Sequence, residues 1–317
     1  MLRAPSRLLR PGFALLALPT WLTLAACQKS DAGDDDDAGS GGTLATGGTA
    51  GATSGAGGSQ TPGGAAGAAA SAGMKADPCA TAVYCDDFES YDAALAAPWT
   101  VRTASGSVAI DASEHASGTK SVKFTTQSAS SVTAMMRLEG PNLFPVDGNV
   151  VYGRMLFKLA SAPTTSVHWT MIQGLGVVPG QTYHAAYRYG GQLPVPSGNE
   201  LMANYDTPDW YSNKSTPGSD CWRHASGRTI PVGRWVCIEW KFDGPNAGMQ
   251  LSLDGQQTPD LTILGHGDGC VNAAADFPWT APTFTSFDLG WEAYQADEPR
   301  TAWIDDVVVS TTPIGCP

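Results

Sequence analysis

Trp235-Val236-Cys237-Ile238-Glu239-Trp240-Lys241-Phe242 is a strand written in period two. Val236, Ile238, Trp240 and Phe242 share one face, and Glu239 and Lys241 take the other. Met249-Gln250-Leu251-Ser252-Leu253 alternates in the same way and runs into Asp254-Gly255, a strong turn signal. Working outward, Val122-Lys123-Phe124 alternates, Val150 to Leu159 does so in part, and Trp303-Ile304-Asp305-Asp306-Val307-Val308-Val309 reads as a late strand. Gly and Pro break the chain between these runs at short intervals, and no helical pattern of about twelve residues interrupts them. Many antiparallel strands joined by turn-rich connections predict an all-β antiparallel sandwich or jelly roll.

The N-terminal quarter has a different character. Arg3, Arg7 and Arg10 give a basic start, and Gly12 to Leu24 is mostly apolar. That run is too short for a membrane span and is broken by Pro19, so residues 1–26 read as a secretory signal. The signal closes on Leu24-Ala25-Ala26-Cys27, which resembles the lipobox of bacterial lipoproteins and implies lipidation of Cys27. Gln28, where inner-membrane sorting would favour Asp, points to the outer membrane or cell surface. Residues 27–77 then read as an anchor and tether of Gly, Ala, Ser, Thr and Asp, with Leu44 as a large aliphatic side chain and an acidic run at Asp34 to Asp37. Such a stretch buries too little apolar surface to offset the entropy of ordering.

Residues 78–317 remain as one domain, of a size that suits a large β-sandwich. The net charge of −12 argues against nucleic acid as a partner and leaves the lipid anchor as the membrane contact. Of seven cysteines, lipidation of Cys27 leaves Cys79, Cys85, Cys221, Cys237, Cys270 and Cys316 for disulfides in an oxidising compartment. Six allow fifteen connectivities. Proximity and closure of the C-terminus favour Cys79–Cys85, Cys221–Cys237 and Cys270–Cys316. No C-x-x-C pair supports zinc.

The domain opens on Cys85-Asp86-Asp87-Phe88-Glu89-Ser90-Tyr91 and closes on Trp303 to Ser310 followed by Ile314-Gly315-Cys316. With Gly233 to Trp240 and the Leu253-Asp254-Gly255 turn between them, it resembles the concanavalin A-like jelly roll of secreted polysaccharide-active proteins. The group in view is the fungal cellulose-induced proteins and the related glucuronan-lyase-like proteins. The resemblance spans most of Cys79 to Pro317 and implies an extracellular polysaccharide as partner. It also implies a structural calcium ion held by Glu89 from the opening motif and Asp305 from the closing one, near Ser117-Gly118-Thr119-Lys120. Asp87 and Asp306 are the neighbours most easily confused with that pair. Two carboxylates from adjacent terminal strands repel unless a cation lies between them, and calcium takes oxygen ligands.

Chemistry is expected on the concave sheet. Val167 to Gly174 and Tyr183 to Tyr189 are candidate strands. Alternation puts His184 and Arg188 on one face and Tyr183, Tyr187 and Tyr189 on the other. A β-eliminating lyase acting on a uronate glycan needs a base, a partner for the charge building on the carboxylate, and an acid for the leaving oxygen. His184, Arg188 and Tyr205 are assigned those roles. Tyr205 is preferred over Tyr187 because Tyr187 faces away from His184. His168, Gln173, Tyr187, Asn204 and Trp210 form the substrate-binding set, with His168 and Gln173 as catalytic reserves. A non-catalytic carbohydrate-binding or adhesion module would use the same side chains without proton transfer. A glycoside hydrolase is the second alternative, but no E-x-D-x-x-E motif is present and Glu239, Glu200 and Glu292 have no obvious partner acid. A serine nucleophile lacks its G-x-S-x-G.

Overall fold

A computed structural model describes residues 77–207, 220–271 and 273–317. Cys27, the signal segment, the tether before residue 77 and Trp210 lie outside the described residues. The described chain carries seventeen strands. They are β1 (Tyr84–Asp86), β2 (Trp99–Ala104), β3 (Gly106–Asp111), β4 (Ser121–Thr126), β5 (Val132–Glu139), β6 (Val150–Leu159), β7 (Trp169–Val177), β8 (His184–Val195) and β9 (Gly198–Asp206). There follow β10 (Asp220–Thr229), β11 (Trp235–Asp243), β12 (Gly248–Leu253), β13 (Gln256–Gln257), β14 (Ile263–Leu264), β15 (Gly269–Val271), β16 (Thr283–Ala293) and β17 (Thr301–Ser310).

Two antiparallel sheets form the sandwich that the period-two runs predict. The nine-stranded sheet runs β13-β12-β11-β6-β17-β4-β3, with β1 on β17 and β14 on β12. The eight-stranded sheet runs β15-β10-β9-β8-β7-β16-β5-β2. The alternation in β11 does what it promises: Val236, Ile238, Trp240 and Phe242 enter the core, while Glu239 and Lys241 do not. Phe242 is the hinge pin between the sheets. Its ring stacks on Tyr189 of β8 at 5.8 Å and on Phe284 and Phe287 of β16 at 5.4 and 5.8 Å. After β12, Asp254 and Gly255 both take positive φ (50° and 75°), as a two-residue turn of the mirror-image type requires. The first and last strands pair, Cys85 opposite Val308, as the closing motif implied.

The disulfides correct two of three expected pairings. Cys79–Cys85 forms, but the others are Cys221–Cys270 and Cys237–Cys316. Nearness along the chain misled here. Cys221 of β10 lies directly opposite Cys270 of β15, 49 residues on, because β15 adds to the sheet beside β10. Cys237 is on β11, where it fixes the C-terminal tail, and Gly315 N–H donates to Glu239 Oε1 at 2.7 Å beside it.

Candidate functional site on the open face of the eight-stranded sheet

The open face of the eight-stranded sheet carries a row of polar side chains laid across the strands. Register places Arg137 opposite Asp288, Asp288 opposite Gln173, Gln173 opposite Arg188, Arg188 opposite Asn204, and Asn204 opposite Trp222. A bulge in β7 makes this possible. Met171 and Ile172 both enter the core, and the pairing with β8 slips between Thr170 and Ile172. Thr170 and Gln173 therefore both reach the open face although they are three residues apart.

Hydrogen bonds tie the row from Arg137 to Arg188 into one network and hold Asn204 in a separate one. Asp288, fully buried, accepts from Arg102, from Arg137 Nε at 2.6 Å and Nη2 at 3.0 Å, and from Gln173 Nε2 at 3.2 Å. That last bond fixes the amide of Gln173 so that its oxygen meets Arg188 Nε. Arg188 Nη1 pairs with Asp206 at 2.8 Å. Asn204 Nδ2 donates to Asp220 Oδ1 at 2.6 Å and to the Cys221 carbonyl at 2.8 Å. Asp206 and Asp220 are register partners, and burial together with that neighbouring charge raises the Asp206 carboxyl, against the pull of Arg188.

A second cluster stands beside this row. The Tyr294 ring lies 4.7 Å from the His168 ring, and the Arg188 guanidinium sits over the same tyrosine at 5.5 Å. Tyr294 OH donates to Glu292 Oε2 at 2.9 Å and is 3.2 Å from Thr170 Oγ1. Burial holds the Tyr294 hydroxyl far above its ordinary range, with Arg188 pulling the other way. Burial also drives the His168 imidazole down to about 4, so it is neutral at physiological pH. On this face His168 Nε2, Asn204 Oδ1, Asp206 Oδ1 and His224 Nε2 are buried with no partner among the described residues. Buried polar atoms are rarely left unpaired without a reason, and acceptors and imidazoles at the edge of an open face suit a hydroxylated ligand.

The expected site residues separate into three groups. Arg188, Gln173, Asn204 and His168 come together as described. His184 is on the same face as Arg188, but four residues earlier on β8, about 13 Å away. There it lines a different cavity, of about 540 Å³, with Arg137, Glu139 and Ser286. Tyr205 and Tyr187 are in the core, which corrects the role given to Tyr205. Each is opposite the other in register, so both face away from Arg188 and Asn204. Tyr205 stacks on Trp279 at 6.0 Å, and Tyr187 OH donates to the Trp279 carbonyl at 3.2 Å. Leu201, Ala203 and Tyr205 recur at period two, a signal that marks the core face. Tyr294 and Asp288 went unassigned from sequence. Trp291 and Ala293 enter the core, so the same alternation sends Glu292 outward beside them, with Tyr294 just past the strand end.

Glu89 and Asp305 reach a single loop. Glu89 accepts from Thr119 N at 2.8 Å, Thr119 Oγ1 at 2.6 Å and Lys120 N at 2.8 Å. Asp305 accepts from Ala116 N at 2.8 Å and Ser117 N at 3.1 Å, and burial pushes its carboxyl up to about 6. Calcium takes oxygen ligands, and the loop that both carboxylates reach also carries the Ser117 and Thr119 hydroxyls, which donate to Asp306 and Glu89. Among the described residues no group of three or more His, Cys, Asp or Glu is arranged around a metal position. A cation here would therefore have to share both carboxylates with the loop N–H groups and draw further oxygens from hydroxyls or carbonyls.

Comparison with known proteins supplies the remaining context. The family model described as polysaccharide lyase-like, Cip1-like core domain, matches residues 87–312. No curated protein matches. Among solved structures, a cellulose-induced protein, Cip1, superposes with a TM-score of 0.50 at 24% identity, covering 74% of this chain and 100% of its own. An endo-β-1,4-glucuronan lyase from the fungus Trichoderma reesei superposes with a TM-score of 0.51 at 15% identity, covering 73% of this chain and 96% of its own. At these identities the two structures bear on the fold.

Proposed function

Since the chain belongs to the Cip1-like family of polysaccharide lyase-like proteins, we propose that its open sheet face cleaves a uronate-containing polysaccharide by β-elimination. The observation that carries this reading is the convergence of His168, Tyr294, Arg188 and Gln173 on one patch. Elimination begins with removal of the proton next to a carboxylate. Arg188, held from both sides by Gln173 and Asp206, presents its remaining guanidinium edge to that carboxylate and stabilises the charge that builds there. His168 is neutral with a free ring nitrogen, as a base must be. Tyr294, protonated at neutral pH and set beside both His168 and Arg188, is the acid for the leaving oxygen. A carbohydrate-binding module would use the same face, and turnover separates the two.

The test is the ultraviolet absorbance of the unsaturated product, followed with the full chain on glucuronan, alginate and polygalacturonate. Arg188→Ala and Tyr294→Phe should each lower kcat/KM by about 10²-fold or more. Tyr205→Phe, a core change, should stay within a few fold. Retention on a glycan with no absorbance change from any of the three substrates would replace the lyase with a binder.

Two further parts belong to the proposal. Cys27 carries lipid and holds the protein at the outer membrane or cell surface, supported by the basic start, short apolar run and Leu24-Ala25-Ala26-Cys27. The three disulfides fit that exported setting. Calcium at Glu89 and Asp305 would be structural, supported by two carboxylates from opposite ends of the domain both reaching residues 116–120.

A further inference from the structure

The nine-stranded sheet, on the side away from the open face, has a cavity of its own. It measures about 460 Å³ and is lined by Tyr84, Tyr91, Arg154, Asp87, Asp306 and Ser90. Arg154 of β6 is part of its lining. Its neighbours Val151, Met155 and Phe157 enter the core, whereas Arg154 sits opposite Val308 of β17 and Glu239 of β11. The residue is only 8% exposed, yet its side chain is nearly unbonded. Nη1 reaches the Gly315 carbonyl at 3.3 Å, and Nε has no partner. No described carboxylate forms an ion pair with it. A buried guanidinium left in that state costs stability, and burial accordingly weakens its hold on its proton.

The surrounding groups narrow what could complete it. Tyr84 and Tyr91 both donate their hydroxyls to Asp86 Oδ2, at 2.7 and 2.9 Å, so what they have left to offer the cavity is acceptor lone pairs and ring surface. Asp87 and Asp306 each spend one oxygen internally, on Glu89 N and Ser117 Oγ. Their second oxygens have no partner among the described residues. An anion on Arg154 would meet two carboxylates, and a cation near those carboxylates would meet Arg154. A hydroxyl suits both, since it accepts from a guanidinium and donates to a carboxylate. Adjacent hydroxyls beside a C–H face that stacks on tyrosine describe a sugar ring.

We infer that this cavity is a second saccharide-binding site, which takes an uncharged sugar unit between Arg154 and the Asp87 and Asp306 carboxylates. It is on the opposite sheet from the proposed cleavage face and does not depend on that reading. A site of this kind would hold a neutral stretch of glycan while the open face works on another.

The Nε–H resonance of Arg154 in the nitrogen-15-labelled full chain tests this directly, with cellotriose, xylotriose and mannotriose as probes. At least one should move that resonance saturably, and the movement should persist in Arg188→Ala. Arg154→Gln risks misfolding, so the second variant is Ser90→Trp, which blocks the cavity from an exposed rim position and should weaken binding at least tenfold. No saturable movement with any of the three probes would overturn the proposal. So would a movement lost in Arg188→Ala, or unchanged affinity in Ser90→Trp.

Discussion

His168 shows what a single buried group imposes on the chain. Burial lowers its pKa to about 4, Arg188 and His224 push the same way, and Asp220 opposes them. An unfolded histidine titrates near 6.5. Between those values the unfolded chain binds a proton that the folded chain refuses, so this residue removes stability as pH falls from about 6.5 to about 4, and no more below that. Asp305 contributes with the opposite sign over part of the same range, because its raised carboxyl favours the folded state at low pH. A comparison with His168→Asn cancels that contribution. The melting-temperature advantage of the wild type over the variant should shrink through this window and level off below pH 4. Parallel profiles would mean that His168 is not held neutral. Reduced to its positioning groups, the same patch has Asp288 at its base: it orients Gln173, and Gln173 orients Arg188.

At the scale of elements, loop 116–120 depends on two carboxylates from opposite ends of the domain. Gly118 passes so close to Glu89 that an added Cβ would stand 2.4 Å from Oε1, at a φ of 54°. Glu89→Gln keeps the shape but weakens its charge-assisted bonds to Thr119 and Lys120, and should lower the melting temperature by a few degrees. If calcium binds here, adding it to chelated wild type should raise the melting temperature, and Glu89→Gln should abolish the rise. Identical wild-type melts with and without calcium would refute the site. How legible these elements were follows their physics. Strands with strict alternation, β11 and β12, could be read directly because side-chain period alone decides their faces. The β7 bulge could not, since it inserts a residue without changing composition, and it decides that Gln173 joins Arg188. Pairings between distant strands were equally hidden. That is why the Cys221 partner was missed, and why His184 was preferred to His168: only the fold brings Tyr294, just past β16, against His168, just before β7.

For the molecule as a whole, the lipid anchor proposed at Cys27 precedes a disulfide-stapled sandwich. Cys27→Ser should release the protein from the membrane fraction and remove incorporation of labelled palmitate. Continued sedimentation with membranes and continued labelling would rule out this anchor. The sandwich has a property that comes from its orientation, not its residues. The row from Arg137 through Asp288, Gln173, Arg188 and Asn204 to Trp222 advances by one strand at each step. Neighbouring strands are about 4.8 Å apart. The sheet is thus a ruler graduated in strand widths. A polymer lying along it would be measured against those graduations, and the distance from a chain end to Arg188, counted in strands, would set the length of the fragment released.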